Sequence, residues 1–218
     1  MSEGDPTSDV DLLNAWVDGD TKASAELIAR HYHGILLFFF AKVGPDLAQD
    51  LTQATFETLC SKKVAFRGDA TVRTFLFGIA RWKLVHHHRK HRTQPEPFDP
   101  AVHPLELSVA VTSMDSLLRH RREHVLFIQG MRSLALDDQI ILELRYYDAM
   151  TVRDIAAVYD TPRATMGDRV VAARRRLEAA VKRLGESARL IESTLSGLDE
   201  TMQGAWRQVA ALADDPPT

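Results

Sequence analysis

The 218-residue chain has a single cysteine, Cys60. One thiol closes no intramolecular disulfide and cannot build a cysteine zinc site, which fits a reducing compartment. Long apolar runs are missing as well. The longest, Ile35–Ala41, falls far short of the roughly 20 residues that span a bilayer. The opening residues, MSEGDPTSDVDLL, are acidic and polar rather than basic and then apolar, so they do not read as a signal peptide. Net charge is only −3, which excludes a polycation. These absences together predict a soluble cytoplasmic protein without membrane insertion.

What is present is unevenly charged. Cations concentrate in 81–92, 119–122 and 163–183, while the C-terminal tail is acidic. Local patches of this kind matter more for nucleic-acid binding than the total. The 45% hydrophobic content is enough for a packed core, and the length suits one large domain or two small ones.

The periodicity predicts helices throughout. A first runs over about Val10–Val17, and a second over about Lys22–Val43 buries Leu27, Ile28, His31, Ile35, Phe38 and Phe39. Gly44-Pro45-Asp46 ends it and opens a third, about 46–62, with Ala48, Leu51, Thr55 and Leu59 inside. The opposite face of the third carries Asp46, Gln49, Asp50, Gln53 and Glu57, at i, i+3, i+4, i+7 and i+11. Such a stripe is either a solvated face or a surface for a basic partner helix.

The most informative stretch follows: FRGDATVRTFLFGIARWKLVHHHRKHR, residues 66–92. A polar turn leads into a helical pattern with Val72, Phe75, Leu76 and Ile79 on one face and a cationic, histidine-rich end. Apolar, aromatic and cationic strips on one helix suit a core element that also grips unpaired nucleic acid. Cations hold phosphate there, and bases stack on rings or guanidinium planes. An amphipathic helix with a solvated basic end has the same pattern.

His87 and His91 have zinc-compatible spacing, but Arg89, Lys90 and Arg92 repel a cation. The cluster reads as facing DNA or solvent, with affinity sensitive to pH near neutrality. No metal and no cofactor is expected. Prolines at 95, 97, 100 and 104 then forbid a helix and mark an extended linker.

Beyond the linker, helices are expected at about 114–133, 136–148, 151–159 and 162–184. The segment TVRDIAAVYDTPRATMGDRVVAARRRLEAAV has the form of a helix-turn-helix. Thr151 caps its first helix, Ile155, Ala156 and Val158 pack inward, and Tyr159-Asp160-Thr161 turns the chain. Thr161 is the expected cap of the second helix, with Pro162 at its first position. Arg163, Thr165, Asp168 and Arg169 lie near the start of that helix, where base edges are met. Arg174, Arg175 and Arg176 follow, at phosphate height.

The order of these parts closely resembles bacterial RNA polymerase sigma factors of the extracytoplasmic-function type, the two-domain members of the sigma-70 family. FRGDATVRTFLFGIAR is the specific match, supported by DLTQATFETL and LDDQIILELRYYDAMTVRDIAAVYDTPRATM. The resemblance implies an all-α fold of two helical domains joined by a flexible linker. Its expected segments are a disordered 1–9, a region 2 domain at 10–92, a linker at 93–113, a region 4 domain at 114–184 and a helical extension at 185–218.

The resemblance also implies a function without catalytic residues: binding core RNA polymerase, recognising promoter DNA and starting transcription, with an anti-sigma factor or other regulatory protein as a further partner. On this basis Asp46, Gln49, Asp50, Gln53 and Glu57 would dock on the polymerase. Arg67, Arg73, Thr74, Phe75, Arg81, Trp82, Lys83, Arg89 and Lys90 would engage the minus-ten element. Arg163, Thr165, Asp168, Arg169, Arg174, Arg175 and Arg176 would engage the minus-35 element. A helix-turn-helix regulator acting without polymerase, dimeric through the extension, is the rival reading.

Two departures from the family stand out. Leu47-Ala48-Gln49-Asp50 replaces the usual Asp-Ala-Glu-Asp of the docking helix, and Ala54 stands where Glu is common. Phosphorylation of Thr52 is one route to restoring the missing charge. In the recognition helix Ala164 replaces a usual Gly, and Gly167-Asp168 replaces Lys-Ser, so an acid is offered to the bases. Continuing from Leu177 and Val181, an apolar seam at Leu184, Ala188, Ile191, Leu195, Leu198, Met202, Ala205, Val209 and Leu212 predicts one or two helices packed on the protein's own domains, a second copy or a regulatory partner, or else a simple stabilising cap on the second domain.

Overall fold

The structure of the protein, a computed structural model, describes residues 8–63, 66, 68–91, 114–200 and 204, with the backbone alone at His91 and at 114–121. Arg67, Arg92, the expected linker and the tail seam from Met202 onward lie outside this set. The described residues are helical, without strands, and the fold is all-α. The chain divides into two compact units, the first built from α1–α4 and the second from α5, α6, α8 and α9.

In the first unit α1 spans Asp9–Val17 and α2 spans Thr21–Val43. Ser8 caps α1 by accepting from the Asp11 amide at 3.2 Å, and Asp20 caps α2 by accepting from Lys22 N at 2.8 Å. Asp9 joins the two helices. One of its oxygens lies 3.2 Å from Arg30 Nη1 and the other 2.7 Å from His31 Nε2. Gly44, at φ 81, ends α2 in a conformation that glycine adopts without strain, and Pro45 opens α3 (Pro45–Lys62).

The core of this unit is aromatic. Phe38 meets Phe39 edge-on at 5.3 Å and Phe77 at 5.5 Å, which links α2 to α4 (Val72–His91). Leu27, Ile35, Ala48, Leu59, Val72, Leu76 and Leu84 complete it. Burying each large side chain contributes about 1.5–3 kcal/mol before conformational entropy is counted.

In the second unit α8 (Arg163–Leu184) packs on α5 (Met114–Arg132) and α6 (Leu136–Tyr146). Met166, Val170, Ala173 and Leu177, spaced at three and four residues, form its buried stripe and face a core that includes Phe127, Ile140, Ile141 and Leu144. Gly130 allows α5 to approach closely. A Cβ there would stand 3.1 Å from Val181 Cγ2 and 3.2 Å from Leu177 Cδ1.

α7 (Val152–Val158) opens on a reciprocal cap. Asp154 N donates to Thr151 Oγ1 at 3.2 Å, and Thr151 N donates to Asp154 Oδ2 at 3.0 Å. Before it, Ala149 sits at φ 52, a left-handed conformation that alanine rarely adopts. After it, Asp160 turns the chain at φ 47, which aspartate tolerates, and Thr161 N closes on Ala156 O at 3.0 Å. The cap of α8 is Pro162, without a side-chain hydrogen bond, and the helix begins at Arg163. The expected Thr161 cap is therefore corrected by one residue.

α9 (Ala188–Ser196) packs against α5 and α8 of its own unit. Ser187 caps it, accepting from Leu190 N at 3.3 Å, and the Ser193 hydroxyl bonds to Glu123 of α5. Thr194 and Leu198 take the buried positions, whereas Leu184 and Ala188 of the expected seam are exposed.

Candidate nucleic-acid interface

On α3 the five residues of the polar stripe, Asp46, Gln49, Asp50, Gln53 and Glu57, are all exposed. The helix turns its apolar side inward, and the opposite side carries the stripe. Gln53 Nε2 donates to Glu57 Oε1 at 2.9 Å and aligns two of the five. Thr52 belongs to the other face. It is 0% exposed, and its hydroxyl donates to Ala48 O at 2.7 Å. A modifying enzyme cannot reach that hydroxyl in the folded helix, so the phosphorylation reading is withdrawn.

α4 carries the aromatic and cationic groups. Trp82 is 62% exposed and lies flat on His86, with ring centroids 5.2 Å apart and 6° between planes. The pair is one helical turn apart, and Lys83 Nζ stands 6.0 Å from the indole centre. Arg89, Lys90 and His86 are exposed beyond it. Closer to the helix start, Arg73 lies over the Phe77 ring at 5.6 Å, and Phe66 meets Phe75 edge-on at 5.7 Å. Arg81 is half-buried, and Arg67 lies outside the described residues.

Thr74 departs from its expected role as a DNA contact. It is 3% exposed, and its hydroxyl is 2.8 Å from Thr71 Oγ1. Thr71 Oγ1 also accepts from Thr74 N at 3.1 Å, so the two threonines close the start of α4. Thr74 therefore shapes the helix that carries the aromatic groups.

On α8, Arg163, Thr165, Asp168 and Arg175 are exposed. Arg169, Arg174 and Arg176 have partners inside the unit, although Arg176 is itself exposed. Arg169 lies 3.9 Å from Asp137, and Arg176 donates to both oxygens of Asp138. Arg174 donates to the Tyr146 hydroxyl at 3.0 Å and pairs with Glu178 at 3.3 Å and Asp199 at 3.2 Å. Its guanidinium is held above the ordinary arginine value, chiefly by the Tyr146 hydrogen bond and also by the carboxylates. Arg174 and Arg176 thus also tie α8 to the rest of the unit, with the Arg176 side chain still 60% exposed.

The sequence puts His86 in the histidine cluster facing DNA or solvent but does not pair it with Trp82. The i, i+4 spacing is the signal that marks the pairing. Among the described residues, no three His, Cys, Asp or Glu side chains gather to hold a metal. Nor is any described helix long and apolar enough to cross a membrane.

No family model matches the chain. It is 27% identical to the RNA polymerase sigma-H factor of Pseudomonas aeruginosa over 184 residues, which is 81% of this chain and 95% of that protein. It is 25% identical to the ECF RNA polymerase sigma-E factor of Escherichia coli strain K12 over 176 residues, 76% of this chain and 90% of that one. Two solved structures share the fold. CnrH, in complex with the cytosolic domain of CnrY, gives a TM-score of 0.59 at 20% identity and covers 82% of this chain and 100% of that one. The sigma factor RpoE of Bartonella quintana, in complex with the anti-sigma factor NepR, gives 0.54 at 23% and covers 74% and 98%. In sequence and in its all-α fold the chain is thus similar to RNA polymerase sigma factors of the extracytoplasmic-function type.

Proposed function

We propose that the protein binds core RNA polymerase and directs promoter-specific initiation, with α3 as the docking face, α4 as the minus-ten element and α8 as the minus-35 reader. The observation that carries this reading is the exposed Trp82 ring, backed by His86 and flanked by Lys83. A large aromatic left open to water among cations is suited to an unpaired base. Stacking of that kind contributes roughly 1–3 kcal/mol per base and tolerates any sequence. Opening a duplex costs a few kcal/mol per unstacked step, which stacking and cations offset without covalent chemistry. No residue needs a catalytic role, and the work is done in the cytoplasm, where polymerase and promoter are.

Docking through α3 uses charge and hydrogen bonding: two aspartates, a glutamate and two glutamines in one line, suited to a basic helix. Two weak DNA contacts tied to one polymerase gain by effective concentration, so neither unit needs to bind DNA tightly alone. An anti-sigma partner fits the same reading, since the solved RpoE is held by one.

Run-off transcription with purified core polymerase on a promoter library tests the proposal. Promoter-specific transcripts that disappear with Arg73→Ala or Phe75→Ala support it. Tight duplex binding without polymerase, and no core-dependent transcript, would favour the stand-alone regulator.

A further inference from the structure

Over the first three turns of α8 the outward line carries an acid, and its cations come later, at Arg175, Lys182 and Arg183. At about 100° per residue, Asp168 lies opposite the buried stripe of Met166, Val170, Ala173 and Leu177. Its neighbours on that outer face are Ala164, Thr165, Val171, Ala172 and Arg175. Val171 is 50% exposed, the only large apolar side chain of the outer face before Leu184 among the described residues. The arginines on the flanks, Arg169, Arg174 and Arg176, are engaged by Asp137, by Tyr146, Glu178 and Asp199, and by Asp138. Between these flanks α8 presents an acceptor, Asp168, and a branched hydrocarbon, Val171.

Resting on the sigma-factor reading above, we infer that Asp168 and Val171 determine minus-35 specificity: Asp168 selects a cytosine and Val171 selects a thymine close by. In the major groove cytosine offers an N4 amino donor, and an ionised carboxylate only accepts. Guanine and thymine present acceptors at that edge and are repelled. Thymine differs from cytosine at C5 by its methyl group, which an exposed valine meets with apolar contact. The residues lie three apart, so they meet neighbouring positions of the groove. Asp168 is the sixth residue of α8, near the N-terminal end that a recognition helix presents to base edges. Ala164 and Ala172, one turn to either side, are short enough to let both side chains reach the floor of the groove.

The test is a transcription-based selection with full-length protein and core polymerase, on a library randomised in both promoter elements. Wild type should enrich cytosine at one minus-35 position and thymine at a nearby one. Asp168→Asn should lose the cytosine preference roughly tenfold and move it toward adenine, which asparagine pairs through N6 and N7. Val171→Ala should weaken only the thymine preference. Both positions are exposed, so thermal unfolding should match wild type. An enriched minus-ten element with a minus-35 preference that neither substitution alters would overturn the inference and leave the sigma reading intact. Absence of any core-dependent transcript would overturn the sigma reading, and the inference with it.

Discussion

Arg176 Nη1 lies 2.8 and 3.0 Å from the two carboxylate oxygens of Asp138, a side chain only 12% exposed. One donor on α8 thus satisfies a nearly buried charge on α6. Arg176→Ala would strand that carboxylate and should cost about 2 kcal/mol of stability. The neighbouring Arg175→Ala, on the exposed face, should change stability by no more than ~0.5 kcal/mol. Thermal unfolding of the two variants checks this. Equal effects would contradict a structural role for Arg176.

Trp82 offers the opposite contrast, between function and stability. Trp82→Ala should leave the melting temperature near that of wild type, because the ring is mostly in water. Promoter opening, followed by permanganate reactivity of the minus-ten strand in the holoenzyme, should fall roughly tenfold for the loss of one stacked base. Trp82→Phe should recover part of the signal.

The α3 face is thinner in acid than the family pattern. Gln49→Glu should therefore tighten binding to core polymerase, and Asp50→Lys should weaken it. Each change should be roughly two- to fivefold, the range of an exposed charge pair. Both effects should shrink as salt is raised, in competition assays on labelled protein.

Ala149 holds a left-handed conformation at φ 52 between α6 and α7, at an exposed site. Ala149→Gly should stabilise the protein by about 1 kcal/mol, by removing the steric cost of the Cβ. The urea midpoint should rise accordingly, and Ala149→Val should lower it.

The helices themselves were legible in the sequence. Apolar spacing placed α2 and α3 within a residue or two, and Gly44-Pro45 marked their junction, because these signals are local. The polar stripe of α3 was legible for the same reason, since five residues at helical spacing must share a side.

Partners distant in sequence were not legible. Arg174 and Arg176 have internal partners, Tyr146 and Asp138, that stand 28 and 38 residues earlier in the chain. Thr74 was misjudged because it stands inside an otherwise DNA-like motif. A threonine hydroxyl suits a base as well as it suits a helix cap, and only packing decides between them. Thr161 and Pro162 are both acceptable helix starts, so a one-residue error there is expected.

The Ser193–Glu123 bond spans 70 residues and fastens α9 to α5. At 5–20 residues per second, synthesis takes roughly 4–14 s to cross that interval. Leu126, Phe127 and Met131 therefore wait on the nascent chain for α8 and α9 to emerge before their apolar surface is fully covered. The helices α1–α4, consecutive in sequence, have no such wait among themselves. They can pack together while α8 is still being made.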